Sequence, residues 1–352
     1  MEIHKKINVG LVGFGFSGQI FHAPFIHCHS GFHLSKVVER SHQNSKKIYP
    51  YVDVVHQFDL LLDDPTIDLV IIATSNEFHY SMAKKALLAK KHVIVEKPFT
   101  VTSHEAIDLM NEAKKNNLIL SVYQNRRFDS DFLTVQHVVN QHLIGEIVEY
   151  EAHYDRYRNV LKGSWKEENR PGSGILYDLG PHLIDQALTL FGLPDSITAD
   201  VSMQRSVSKT TDSFDIRLNY KNRRVILKAG MLVREPGPRY VIHGSKGSFV
   251  KYGIDPQEEQ LKSGMLPSDD EYGIENSKIW GTINTDIKGL HFRGQIESSK
   301  GSYMEFYNNI HDVICRKKTL LVDPSDVFNS IRIIELAIES ANKESTIPFY
   351  FS

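Results

Sequence analysis

A glycine-rich turn near the start, Gly13-Phe14-Gly15-Phe16-Ser17-Gly18, follows directly on the apolar, β-branched run from Ile7 to Val12. It fits GxGxxG, with a strand-like run before it and a helix-like stretch after it, the context in which that spacing carries meaning. The first glycine permits a tight turn, the second lets a pyrophosphate approach the backbone, and the third allows helix and strand to pack closely. A helix N-terminus at this point offers amide donors and a partial positive charge to an anion. Gly13, Gly15, Phe16, Ser17 and Gly18 are therefore predicted to line a dinucleotide site.

The pattern around the turn supports this. Short apolar runs at Leu34 to Val38, Leu69 to Ala73, His92 to Val95 and Ile119 to Val122 alternate with amphipathic stretches at Phe78 to Ala89 and Ser103 to Asn116, the latter with Ser103 as its expected N-cap. Such alternation specifies βαβ units on a parallel sheet. A chain of 352 residues exceeds what one core usually supports, so two domains are expected. Residues 1–123 are predicted as a doubly wound Rossmann domain, and residues 124–352 as a substrate-binding and oligomerisation domain. The second begins with a helix from Ser130 to His142 and continues in strands such as Thr198 to Arg205, Phe214 to Tyr220 and Arg223 to Gly230, with Asn222, Gly237 and Gly244 as turn residues. A mostly antiparallel open sheet follows, giving α/β plus α+β as the fold class. The segment Asp255 to Gly301, rich in Gly, Ser, Asp and Lys, is expected to form long loops. A last helix from Ser325 to Ala341 should pack through Ile331, Ile334 and Ile338.

With 43 acidic against 41 basic residues and no long run of either sign, the chain carries no electrostatic footprint for nucleic acid or anionic membrane, which favours a small-molecule partner. Cys28 and Cys315 are too few and too far apart for a disulfide framework or a CxxC site. Histidines such as His27 and His29 do not cluster with carboxylates or thiols at ligand spacing, so no metal is expected. Lys5 and Lys6 precede an apolar run about half as long as a signal-peptide core, and no stretch approaches the roughly 20 apolar residues of a membrane span. A soluble, cytoplasmic protein is expected.

The second strand ends at Val38-Glu39-Arg40-Ser41, about 20 residues past the glycines, where an acid on the ribose hydroxyls marks NAD and an arginine accommodates the 2′-phosphate of NADP. Glu39 favours NAD. Arg40 and Ser41 suit NADP if Glu39 turns away, and a solvated loop is the third possibility. Lys97, in Glu96-Lys97-Pro98, stands at the carboxyl end of a predicted parallel strand, where open α/β sheets bind ligands. In Asp178-Leu179-Gly180-Pro181-His182 the four-residue spacing places acid and imidazole on one face if a helix begins there with Pro181 in its first turn. A stripe of Leu179, Leu183, Ala187 and Leu190 supplies its buried face, and Gly192 with Pro194 closes it. Taken singly, Asp178 suits an N-cap and His182 a structural histidine.

With these three motifs in this order, the chain resembles the Gfo/Idh/MocA (glucose-fructose oxidoreductase/inositol dehydrogenase) family over nearly its whole length. The segments Thr74-Ser75-Asn76-Glu77-Phe78-His79, Asn125-Arg126-Arg127-Phe128 and Ser248-Phe249-Val250-Lys251-Tyr252-Gly253 match as well. The longer forms NRRFDSDFLT and LYDLGPHLIDQ are similar to the NADP-dependent scyllo-inositol dehydrogenase branch, from which Glu39 departs. The resemblance implies that Lys97, Asp178 and His182 form the catalytic group. His182 or Lys97 would carry the hydroxyl proton, Lys97 would also stabilise developing alkoxide charge, and Asp178 would orient His182 or hold a neighbouring hydroxyl. It further implies that Ala73, Thr74, Asn76 and His79 line the cofactor site with Glu96 and Asn125 near the nicotinamide ribose, and that Tyr154, Arg156 and Trp165 shape the pocket for a polyol or sugar. NAD or NADP would serve as cofactor, and a homodimer or homotetramer is implied. Reduction of another carbonyl or double bond, or a non-catalytic dinucleotide-binding sensor, are the alternative functions.

Overall fold

The computed structural model describes residues 6–350, so Lys5 lies outside the described residues. The chain divides into two compact units. The first comprises residues up to Asn125 with Gln257–Tyr272 and Ser302–Phe328; the second comprises Arg126–Pro256, Gly273–Gly301 and the residues from Asn329 onward.

The first unit is built on six strands: β1 (Ile7–Val12), β2 (Phe32–Val38), β3 (Asp53–Val55), β4 (Leu69–Ile72), β5 (His92–Val95) and β6 (Leu120–Val122). Their order is β3-β2-β1-β4-β5-β6, and every pairing is parallel. The chain runs outward in both directions from β1, so the carboxyl ends of β1 and β4 flank the switch point at which such sheets take a dinucleotide. All four residues of β4 are buried, as a parallel strand covered on both faces requires. Around the sheet run α1 (Ala23–Cys28), α2 (Asn44–Ile48), α3 (Phe58–Leu62), α4 (His79–Leu88) and α5 (Ser103–Lys115).

The N-cap of α5 is Thr102 rather than Ser103. The Thr102 hydroxyl accepts from the Glu105 amide and the Glu105 carboxylate accepts from the Thr102 amide, a reciprocal capping box that Ser103 is one residue too late to form. After the glycine turn the chain first makes a π-helical turn, Gly18–His22, in which the Ala23 amide reaches back to Gly18 O. Pro24, which has no N–H to donate, then sits in the first turn of α1, where none is needed.

The second unit holds α6 (Ser130–Asn140), α7 (Gly174–Phe191) and a nine-stranded sheet. Its strands are β7 (Ile147–Asp155), β8 (Ser196–Ser202), β9 (Ser213–Tyr220), β10 (Arg223–Gly230), β11 (Tyr240–Gly244), β12 (Gly247–Lys251), β13 (Gly281–Ile287), β14 (Leu290–Ile296) and β15 (Ile347–Pro348). The order is β14-β13-β12-β11-β7-β10-β9-β8-β15, antiparallel except for β7 against β10. The strand expected over Thr198 to Arg205 ends at Ser202, because Arg205 turns to pair with Asp212 at 2.9 Å.

The segment expected to be loops is partly regular. It contains α8 (Gln257–Lys262), which belongs to the first unit, and the β13–β14 hairpin, whose turn Lys288-Gly289 has φ of +50° and +87° at its two central positions. Positive φ at both positions suits the twist of a two-residue hairpin. Two further helices follow, α9 (Met304–Arg316) in the first unit and α10 (Pro324–Lys343), within which the boundary between units falls. Ile331 and Ile334 on α10 are fully buried, whereas Ile338 is half-exposed.

Candidate dinucleotide and substrate sites

Each glycine of the turn has a different geometric reason. Gly13 has φ +96°, and a Cβ there would lie 2.5 Å from Ala73 O; a Cβ on Gly18 would lie 2.3 Å from Gly13 O. At Gly15 a Cβ would meet nothing within 4 Å. Two of the glycines are thus demanded by the protein's own packing. Gly15 instead keeps its backbone open on one side, as a ligand lying against it requires. Phe16 projects beside this turn, edge-on to Phe21 and with Lys262 Nζ 5.4 Å from its ring centre.

Glu96, at the end of β5, is buried beneath the turn. Its Oε1 accepts from the Ser17 hydroxyl and, at 3.0 Å, from His22 Nε2, while Oε2 accepts from the Lys97 amide at 3.0 Å. Burial alone would raise the Glu96 pKa, but His22, Ser17 and the Lys97 charge outweigh it and hold the group at about 2. His22 is in turn held through Nδ1 by the Tyr307 hydroxyl at 2.8 Å, and that hydroxyl donates to Phe21 O. Neither His22 nor Tyr307 was singled out from the sequence. His22 carried a weak signal as a lone histidine in an apolar stretch, and Tyr307 carried none, being 285 residues away.

The loops after β4 and β5 are tied together by His79, the first residue of α4. Fully buried, it sets Nδ1 2.8 Å from Pro98 O and Nε2 3.2 Å from Thr74 O. Burial pushes its pKa down, against the opposing pull of those carbonyls. This fixes Ala73 and Thr74 against the glycine turn. Asn76 and Asn125 are both buried, in short 3₁₀ turns after β4 and β6. Lys97 is half-buried at the β5 end, and the Lys97–Pro98 peptide is cis.

At the end of β2 the Glu39 carboxylate is turned onto α2. It accepts from the Asn44 amide at 2.9 Å, the Ser45 amide at 2.8 Å and the Ser45 hydroxyl, so it closes the helix's unsatisfied N-terminal donors. Arg40 and Ser41 remain exposed beside it.

In the second unit the helix bearing the acid and imidazole starts earlier than expected, at Gly174, so Pro181 lies inside α7 rather than in its first turn. Pro181 cannot donate to the carbonyl four residues back, an unmade bond that packing must offset, and Pro181 is buried within α7. Leu179, Leu183 and Ala187 form the buried stripe, Leu190 is half-buried, and Gly192 with φ +69° ends the helix. Asp178 pairs with Lys166 Nζ at 2.6 Å. One turn along, the buried His182 ring lies 6.3 Å from the ring of Tyr154. Tyr154 is stacked by Arg239 at 3.7 Å, and its hydroxyl has no hydrogen-bond partner among the described residues. Burial pushes that phenol up to about 12 despite the neighbouring Arg126 and Arg239. Arg156 and Asp178 line a common cleft with Lys166 and Ile175, and Trp165 stands in the adjoining one-turn helix Trp165–Glu167.

A parallel sheet with this strand order, a glycine turn open at its second glycine and a second unit carrying an acid–imidazole pair beside a cleft define a two-part, dinucleotide-dependent enzyme. Two family models match the chain: residues 7–124 match the NAD-binding Rossmann fold of an oxidoreductase family, and residues 137–349 match that family's C-terminal alpha/beta domain. The chain belongs to the Gfo/Idh/MocA oxidoreductase family. It is 39% identical to scyllo-inositol 2-dehydrogenase (NADP(+)) IolW of Bacillus subtilis over 97% of this chain and 95% of the relative. To the uncharacterized oxidoreductase YdgJ of Escherichia coli it is 42% identical, over 97% and 98%. Among solved structures, yvaA from Bacillus subtilis superposes with a TM-score of 0.96 at 38% identity, covering 99% of this chain and all of that one, at 100%. An oxidoreductase from Bacillus cereus superposes with a TM-score of 0.91 at 32% identity, covering 99% of both. The protein is thus an NAD(P)-dependent oxidoreductase. Among the described residues no helix is long and apolar enough to cross a membrane.

Proposed function

We propose that the protein transfers a hydride between NADP and a secondary alcohol, or the matching ketone, of an inositol-like polyol or sugar. The observation that carries the substrate class is the end-to-end similarity to a relative named as an NADP-dependent scyllo-inositol 2-dehydrogenase. The preference for NADP rests on Glu39: with its carboxylate spent on α2, Arg40 and Ser41 are left to meet a 2′-phosphate.

The residues divide the work as follows. The turn from Gly13 to Gly18 binds the pyrophosphate, with Ala73, Thr74, Asn76 and Asn125 as further walls of the cofactor site. Glu96 fixes the Lys97 backbone and the Ser17 side chain. Bound nicotinamide supplies the hydride acceptor or donor. In the oxidative direction His182 takes the hydroxyl proton, Lys97 stabilises the developing alkoxide, and Asp178 orients the substrate beside His182. Tyr154, Arg156 and Trp165 shape the pocket. Assembly as a homodimer or homotetramer in the cytoplasm completes the proposal, supported by Ile287, Leu290 and Phe292, apolar residues exposed along β13 and β14.

Absorbance at 340 nm with NADP or NAD and a panel of inositols and aldoses tests the activity. Reduction of NADP by a member of the panel is expected. Lys97→Ala and His182→Ala should each lower kcat by at least about 100-fold while dinucleotide affinity is retained. No turnover in either direction by a protein that binds the dinucleotide would refute the proposed activity.

A further inference from the structure

The cleft beside Asp178 has a charge that neutral polyols do not require. Five basic residues line it, Arg156, Arg158, Lys162, Lys166 and Arg205, in a chain whose formal net charge is −2. The acidic residues lining it number three. Asp212 and Glu167 are both taken by Arg205, at 2.9 and 3.5 Å, and Asp178 by Lys166 at 2.6 Å. Five against three leaves a surplus of two positive charges. Arg158 and Lys162 have no acidic side-chain partner among the described residues; the Lys162 backbone amide, by contrast, is held by Glu167 at 2.7 Å.

The walls between these cations are built rather than loose. Gly174 has φ +86°, and a Cβ on it would lie 2.4 Å from Thr211 Oγ1 and 2.7 Å from Thr210 Oγ1, so only glycine lets those two hydroxyls close against the first turn of α7. Arg205, almost completely buried, also donates to the Arg158 carbonyl at 3.1 Å, which pins the backbone from which the Arg158 guanidinium projects. A concave wall with a net positive charge concentrates anions, and a guanidinium presents paired donors that match two oxygens of a carboxylate or phosphate.

We propose that the substrate carries an anionic group, a carboxylate or a phosphate monoester, on its polyhydroxy frame, and that Arg158 and Lys162 hold it in the cleft that Asp178 also lines. The proposal rests on the polyol or sugar reading above and narrows it. The subsite sets which polyol is accepted and takes no part in proton or hydride transfer.

The test compares neutral inositols and aldoses with the corresponding aldonates and uronates and with sugar and inositol monophosphates, using the intact enzyme, NADP and absorbance at 340 nm. The expected result is a kcat/KM at least about tenfold higher for one anionic group than for its neutral parent, falling as salt is raised. The carboxylate and phosphate arms identify which group it is. Arg158→Gln should reduce the anionic-to-neutral ratio by about tenfold or more, and Lys162→Gln, at an exposed position, gives the same test if the first variant folds poorly. Turnover of neutral compounds with no anionic preference overturns this proposal and leaves the polyol reading intact. Turnover of neither class overturns the polyol reading. In that case, calorimetric titration of the NADP-loaded protein with gluconate and with glucose 6-phosphate decides: binding weakened by Arg158→Gln supports the subsite, and absent or unchanged binding overturns it.

Discussion

Adding one methyl group to each glycine of the 13–18 turn should separate packing from ligand binding. At Gly18 the new Cβ would stand 2.3 Å from Gly13 O, roughly 1 Å inside an ordinary carbon–oxygen contact. The neighbour is backbone and cannot rotate away, so Gly18→Ala is expected to destabilise the first unit by about 1–3 kcal/mol, the usual range for overpacking. At Gly13 the clash with Ala73 O at 2.5 Å is joined by φ +96°, a conformation that itself costs alanine on the order of 1–3 kcal/mol, so the sum is about 2–6 kcal/mol. At Gly15 nothing lies within 4 Å, and stability should change by less than about 1 kcal/mol. There the methyl group occupies the open side proposed for the pyrophosphate. Loss of one charge-assisted amide bond at about 1.5–3 kcal/mol weakens dinucleotide affinity roughly 10- to 150-fold. Chemical denaturation gives the stabilities and fluorescence titration of the reduced dinucleotide gives the affinities. Gly15→Ala binding dinucleotide as tightly as the parent, or Gly18→Ala as stable as the parent, would refute this division between ligand binding and packing.

Glu39→Gln should cost about 0.5–2 kcal/mol through weaker capping of α2, with the NADP-to-NAD ratio unmoved, whereas Arg40→Ala should lower that ratio by about 10- to 100-fold; steady-state kinetics with both cofactors separates the two. The Glu96 pKa lies near 2 against an ordinary 4.5. A depressed folded-state value means stability that is fully present above pH 4.5 and lost as pH falls toward 2. The difference of 4.5 minus 2 units corresponds to roughly 3 kcal/mol, so Glu96→Gln should lose part of the stability at pH 7 and flatten that acid limb in denaturation curves. In the second unit Lys251 is fully buried, with Nζ 2.9 Å from Glu275 and 2.6 Å from Ile279 O. Glu275→Ala strands that ammonium and should cost about 3–5 kcal/mol, and Glu275→Ala with Lys251→Met together should recover most of it.

What could be read from the sequence follows the strength of the burial signal. The strands Leu69–Ile72 and His92–Val95 are almost entirely buried, and short runs dominated by Val and Ile announce that state. The β13–β14 hairpin lies in a segment read as loops from its Gly, Ser, Asp and Lys content, although Leu290, Phe292 and Ile296 alternate with His291, Arg293 and Gln295; β14 is mostly exposed, so no buried face accompanies that alternation. Its turn, Lys288-Gly289, was a second cue. The glycine turn, Lys97, Asp178 and His182 stood out as motifs. The Ser17–Glu96–His22–Tyr307 chain did not, because its partners meet only through the fold and no local spacing encodes them. Pro181 misled in another way. It signals a first turn wherever a helix must satisfy its own amides, yet α7 carries it eight residues in, within a tightly packed part of the unit.

Two glutamates at strand ends show why position alone does not assign a role. Glu39 and Glu96 are equally buried, each 7% exposed, and both stand at the carboxyl edge of the same parallel sheet. The donors to Glu39 all come from Asn44 and Ser45, five and six residues along its own chain, so its carboxylate is satisfied by α2 and nothing of the cofactor turn depends on it. The donors to Glu96 come from the glycine turn through Ser17, from the helix that follows through His22, and from the Lys97 amide. One carboxylate thus fixes the glycine turn and the backbone of Lys97 to the same point. A movement of the turn on binding dinucleotide would therefore be passed to Lys97 through two hydrogen bonds and no side-chain rotation. Removing the charge while keeping the shape, as in Glu96→Gln, should then raise the dinucleotide dissociation constant and lower kcat together. The corresponding change at Glu39 should leave kcat unaltered, a contrast that a single kinetic comparison of the two variants resolves.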